Sequence, residues 1–82
     1  MTRDEVLEQL KNWVHERNPD AEVEPNTPLL EQKLLSSLQV TELLLFIEEL
    51  RRSPIDIEAL QPGTFHDLNA ICDTFWPETR DG

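Results

Sequence analysis

The stretch Ser36-Ser37-Leu38-Gln39-Val40-Thr41-Glu42-Leu43-Leu44-Leu45-Phe46-Ile47-Glu48-Glu49-Leu50-Arg51-Arg52 decides the fold of this chain. It opens as a capping box, with Ser36 at the N-cap and Gln39 at the third helical position. Behind it, Val40, Leu43, Leu44, Ile47 and Leu50 recur at helical spacing and predict an inward stripe. Leu38, Thr41, Leu45 and Glu48 fall on a different side, roughly in line with Ser37. Ser53-Pro54 stops the helix at about Arg52, because proline disfavours helical backbone before it and cannot donate within it.

Two further helices flank this one. Thr2 and Glu5 are spaced as a capping box, and Val6, Leu7, Leu10, Trp13 and Val14 follow at helical spacing until Asn18-Pro19. Near the other end, Leu68, Ile71, Cys72 and Phe75 form the stripe of a last helix that Pro77 limits, with a weaker cap offered by Thr64 to Asp67. Residues 18–35 make a long connection containing Pro19, Pro25 and Pro28. A connection of that length is functional or packed by its own side chains, and Leu29, Leu30, Leu34 and Leu35 are its expected anchors. A short helical turn is expected after Thr27-Pro28, with Thr27 as its cap. Ile55 and Ile57 are expected to pack inward, and a turn or short third helix to follow through Glu58-Ala59-Leu60 before Gln61-Pro62-Gly63 breaks the chain. The expected fold is all-α: three main helices plus a short third helix, in one domain over residues 1–82. Its ordered core runs over about 3–76, with a C-terminal tail over 77–82 of which residues 78–82 are expected to fray.

Length and charge narrow the function. Eighty-two residues suffice for one small core but leave little room for a deep enclosed pocket, which favours a binding, carrier or interaction module. Seventeen acidic against seven basic side chains give a net charge of −10. Such a surface repels nucleic acid and anionic membranes and attracts basic patches on protein partners. The bland reading is that this charge keeps a small protein in solution. Cys72 is the only cysteine, so no internal disulfide can form, which fits a reducing cytoplasm. The start Met-Thr-Arg-Asp-Glu lacks the apolar stretch of a signal peptide, and no apolar run reaches the length of a membrane span. A cytoplasmic monomer is expected.

The serine pair is the candidate site. A serine at a helix start presents its hydroxyl beside unpaired backbone N–H groups and the positive end of the helix dipole, an environment that suits a phosphate ester. Taken alone, that position is better explained as an ordinary cap. Its surroundings change the balance. The stretch Asn26-Thr27-Pro28-Leu29-Leu30-Glu31-Gln32-Lys33-Leu34-Leu35-Ser36-Ser37-Leu38 resembles the signature of the acyl carrier and peptidyl carrier protein family. That signature has a loop leucine or phenylalanine, often an acidic residue and a glycine, then Asp-Ser-Leu opening the second helix. Glu42 to Leu50 is similar to the family's second helix, and Pro54-Ile55-Asp56-Ile57 to the connection after it. The likeness covers residues 4–76 and is strongest over 26–57.

The resemblance implies an acyl-carrier-like four-helix bundle of the stand-alone type, with 4'-phosphopantetheine from coenzyme A attached covalently to Ser37. It implies partner contact through Leu38, Thr41 and Leu45, and docking of Glu42, Glu48 and Glu49 onto arginine and lysine patches, with Arg51 and Arg52 tuning which partner is accepted. The implied partners are a phosphopantetheinyl transferase, an acyl- or aminoacyl-loading enzyme, and downstream synthase, transferase or tailoring enzymes. The second half of the chain is closer to carriers of specialised metabolism, which favours polyketide or nonribosomal-peptide biosynthesis. Two departures stand out. Ser36 replaces the aspartate whose carboxylate assists magnesium-dependent arm transfer in the family. Lys33 stands where glycine is common, so a different loop conformation and altered transferase recognition are expected there.

Other functions are weighed beside this one. A degenerate, unmodified carrier fold acting as an interaction adaptor is the alternative. No enzyme is expected, because no nucleophile has a base and an orienting group at readable spacing. Ser36 is a cap before it is a second attachment point. Cys72, Trp13 and Trp76 are packing residues, and His15 and His66 are surface residues without metal-ligand spacing.

Overall fold

A computed structural model describes residues 2–61 and 63–79. The described residues form three α-helices, α1 (Arg3–Arg17), α2 (Ser37–Arg51) and α3 (Leu68–Phe75), and no strand. Two single 3-10 turns accompany them, at Ile57–Ala59 and Pro77–Thr79.

Each helix begins on a side chain that accepts an otherwise unpaired N–H group. Thr2 Oγ1 accepts from Glu5 N at 3.3 Å, and its hydroxyl also meets the Glu5 carboxylate. At α2 the capping box is complete: Ser36 Oγ accepts from Gln39 N at 3.2 Å, and Ser36 N donates to Gln39 Oε1 at 3.0 Å. At α3 the cap is Asp67, whose Oδ1 accepts from Ala70 N at 2.7 Å. Thr64, the residue that opens the expected cap, instead donates its hydroxyl to the Gln61 carbonyl. The helix therefore starts as late as its apolar stripe does.

α2 ends by backbone geometry. Arg52 takes φ 55°, and Ser53 N–H reaches the Glu48 carbonyl at 3.3 Å, the long bond of a Schellman-type end. Glycine usually fills such a position, since a β-carbon strains it. Pro54 lies just beyond and prevents the helix from resuming.

One core joins the three helices and the long connection. Val6, Leu10 and Val14 of α1, Leu43 and Ile47 of α2, and Leu68 and Ile71 of α3 are fully buried. α1 packs against α3, and the Arg3 guanidinium meets the Asp73 carboxylate at 2.7 Å across that interface. Trp13 stacks on Phe46 with centroids 6.1 Å apart, and the Arg17 guanidinium lies 3.5 Å above the Trp13 ring. Trp13, Trp76 and Cys72 are buried, as their apolar spacing suggests.

The connection between α1 and α2 is packed by its own side chains, with Val23, Leu29, Leu34 and Leu35 buried. Leu30 is the exception at 50% exposed, because the turn that buries Leu29 carries its neighbour outward. Thr27 does not cap forward. Its hydroxyl oxygen accepts from Glu24 N at 2.8 Å and closes a turn over residues 24–27 instead. The segment after it is a run of turns, in which Gln32 N donates to Pro28 O. Two backbone bonds fasten this connection to the approach of α3, Leu29 N to His66 O at 2.8 Å and Asn69 N to Pro25 O at 3.0 Å.

Between α2 and α3, the expected short third helix is the single 3-10 turn Ile57–Ala59, capped by Asp56. Ile55 packs against the core, but Ile57 is 64% exposed. Of the expected Gln61-Pro62-Gly63 break, Pro62 lies outside the described residues, and Gly63 has φ 87°. At the start of the C-terminal tail, Pro77–Thr79 form a turn in which the Thr79 hydroxyl donates to the Trp76 carbonyl at 2.7 Å. Residues 80–82 of that tail lie outside the described residues.

Candidate functional site at the start of helix α2

Ser37 is the first residue of α2 and is exposed. Its neighbour Ser36 has its hydroxyl oxygen engaged by Gln39 N, so the two serines are not equivalent. Among the described residues, none is hydrogen-bonded to Ser37 Oγ, while its carbonyl receives the Thr41 hydroxyl at 3.4 Å. The first turn of α2 contains no acidic side chain of its own to offset the positive end of the helix dipole. Negative charge on this oxygen would be favoured by the N-terminal N–H groups and by the dipole.

The residues expected to meet partners lie along the exposed side of α2. Leu38 is 70% and Leu45 58% exposed, and the two lie one heptad apart, about 10 Å along the axis. Thr41, Glu42 and Glu49 are exposed beside them. Glu48 is different. It is half-buried, and its Oε2 accepts from Ile55 N at 3.0 Å, so its carboxylate holds the connection that follows α2. Leu45, Glu48 and Glu49 come together with Arg52, Ser53 and Pro54 around a shallow groove of about 460 Å³ at the C-terminal end of α2.

Two features of the site were not legible as such. Ile57 adds a further exposed apolar side chain, and a hydrophobic residue in a short connection carries no periodic signal for its direction. Lys33, where a different loop conformation was expected, takes φ 57°. A residue with a β-carbon thus stands in a backbone conformation that glycine favours.

Other candidates fall away from chemistry. His15 is exposed, with Nδ1 3.3 Å from the Ala21 carbonyl, and the exposed His66 lies 3.9 Å from Asp67. Among the described residues, no group of His, Cys, Asp and Glu is placed to hold a metal ion, and no helix is long and apolar enough to cross a membrane. No family model and no curated protein sequence matches the chain.

Proposed function

We propose that this chain is a discrete carrier protein that receives a 4'-phosphopantetheine arm on Ser37 and delivers acyl or aminoacyl cargo to partner enzymes. The observation that carries the reading is the division of labour within the serine pair. Ser36 caps α2, while Ser37 leaves an exposed hydroxyl at the positive end of that helix, whose first turn holds no acidic side chain. The resemblance over residues 26–57 supports the same assignment.

In the attachment step, Ser37 Oγ attacks the β-phosphorus of coenzyme A on the transferase. The new Oγ–P bond forms as the P–O bond to the adenosine bisphosphate half breaks, and the serine proton passes to a base of the transferase or to solvent. The N–H groups at the α2 N-terminus would favour the negative charge of a phosphodiester on this oxygen. When bound, the arm supplies a thiol that carries cargo as a thioester at high effective concentration near each docked enzyme. Leu38 and Leu45 offer the apolar part of a docking surface, and Glu42 and Glu49 its charge. Weak, electrostatically steered docking suits a carrier that must change partners. Assembly of polyketides or nonribosomal peptides is the pathway class we favour.

One observation favours a second reading. Ser36 provides no carboxylate beside Ser37, so an adaptor that keeps the fold without the arm is the alternative. The test is intact mass after incubation with coenzyme A, magnesium and a broad-specificity phosphopantetheinyl transferase, beside Ser37→Ala and Ser36→Ala. Gain of one arm by the wild type and Ser36→Ala, but not by Ser37→Ala, is expected. No gain by folded wild type with two different transferases overturns the reading in favour of the adaptor.

A further inference from the structure

The segment that presents Ser37 is held from behind by a residue of α1. Asn18, at the C-cap of that helix, places its amide nitrogen 3.1 Å from the Val14 carbonyl and 2.9 Å from the Leu34 carbonyl. Both amide hydrogens are thereby used: one satisfies a carbonyl left open at the helix end, the other grips the chain three residues before Ser37. The Asn18 backbone is engaged as well, its N–H with the His15 carbonyl and its own carbonyl with Ala21 N, both at 3.0 Å. The side chain therefore projects from a fixed point.

Leu34 is held on every side. Its N–H donates to the Leu29 carbonyl at 2.8 Å, its carbonyl accepts from Asn18, and its side chain is buried. The left-handed backbone of Lys33 turns the chain into this arrangement. Beyond Leu34, Leu35 is buried and Ser36 is locked by its reciprocal bonds with Gln39. Asn18 thus holds the backbone at Leu34, and the Ser36–Gln39 box holds it again two residues later, immediately before Ser37.

We infer that Asn18 is a positioning residue for Ser37, acting through the Leu34 carbonyl. The inference rests on the carrier reading of Ser37. Aspartate at position 18 has no donor and turns lone pairs toward two carbonyls; alanine leaves both carbonyls without a side-chain partner. Either change frees the loop to sample conformations in which Ser37 is misplaced. A partner enzyme that binds only the presented conformation then meets a smaller competent fraction, so its apparent affinity falls by that fraction.

The test compares wild type, Asn18→Ala and Asn18→Asp with Ile71→Val, a core variant that lowers stability while leaving both Asn18 side-chain hydrogen bonds in place. Steady-state arm transfer is measured on each folded protein, together with amide hydrogen exchange. Expected for both Asn18 variants is a KM for the carrier raised by about tenfold, as for a competent fraction reduced to roughly a tenth, with kcat little changed. Faster exchange at the Leu34 and Ser36 amides, but not in α1 or α3, should accompany it. Ile71→Val should leave KM and those amides at wild-type values. An unchanged KM in the Asn18 variants, or an equal rise in Ile71→Val, overturns the inference while leaving the carrier reading intact. Wild type that accepts no arm overturns the carrier reading and this role with it, whatever the exchange pattern.

Discussion

The Glu48 carboxylate accepts the backbone N–H of Ile55 at 3.0 Å, so an acidic side chain of α2 fastens the connection that leaves the helix. This bond separates Glu48 from Glu42 and Glu49, which are exposed on the same helix. Glu48→Gln keeps an acceptor and should cost little stability, whereas Glu48→Ala should cost about 1 kcal/mol through the unpaired Ile55 N–H. Urea unfolding of the two variants checks this; equal losses would show that the bond contributes nothing.

Lys33 and Arg52 both hold left-handed backbone, at φ 57° and 55°. A β-carbon is disfavoured there, while glycine is not, though glycine also gains freedom in the unfolded chain. Lys33→Gly should therefore stabilise by about 0.5–1 kcal/mol. Arg52→Gly should gain less, because it also removes a cation from the C-terminal end of α2. Thermal unfolding of the two variants reads the difference, and a destabilised Lys33→Gly would contradict the backbone assignment.

The core is small enough for one cavity to matter. Total stability for a chain of this length is about 4–12 kcal/mol, and Ile47→Ala at a fully buried position should cost about 2–5 kcal/mol. Thermal unfolding followed by circular dichroism should show its Tm lowered by at least about 8 °C. Leu38→Ala, at a side chain 70% exposed, should stay within about 0.5 kcal/mol of wild type.

The same exposed residues should carry docking. Leu38→Ala and Leu45→Ala should each weaken binding to a cognate transferase or loading enzyme, with folding unchanged. Glu42→Gln and Glu49→Gln should lower the association rate and its dependence on salt. Surface plasmon resonance at two ionic strengths separates these effects. Indifference of the association rate to both charge and salt would exclude electrostatic steering.

Arg3 and Asp73 meet at 2.7 Å with side chains 26% and 42% exposed. Solvent screens such a pair, so Asp73→Asn should cost no more than about 1 kcal/mol at low salt and less at high salt. A loss that is independent of salt would assign the effect to hydrogen bonding, to which Asn69 also contributes at 3.3 Å from Arg3.

The helices were legible because their signals are local. Caps at Thr2 and Ser36, apolar residues three and four apart, and prolines after Asn18 and Ser53 each act within a turn or two of where they stand. The start of α2 was legible for the same reason, since Ser36 and Gln39 mark the cap and place Ser37 just inside it, while the candidacy of Ser37 rests on the resemblance over residues 26–57.

The connections were not legible in that way. Thr27 and Thr64 are both plausible forward caps by residue type, yet each closes a turn with an earlier residue. Ile55 and Ile57 are identical in chemistry, and only packing sets the first against the core, partly buried, and exposes the second. By itself, then, the sequence determined the three helices, the faces they bury and the place of Ser37, since hydrogen bonds within a turn and apolar periodicity need no distant partner. Only the tertiary structure decided that Glu48 serves Ile55, that Lys33 bends left-handed, and that Asn18 holds Leu34 across sixteen residues. Those outcomes depend on which elements the common core brings together, a relationship that no local pattern records.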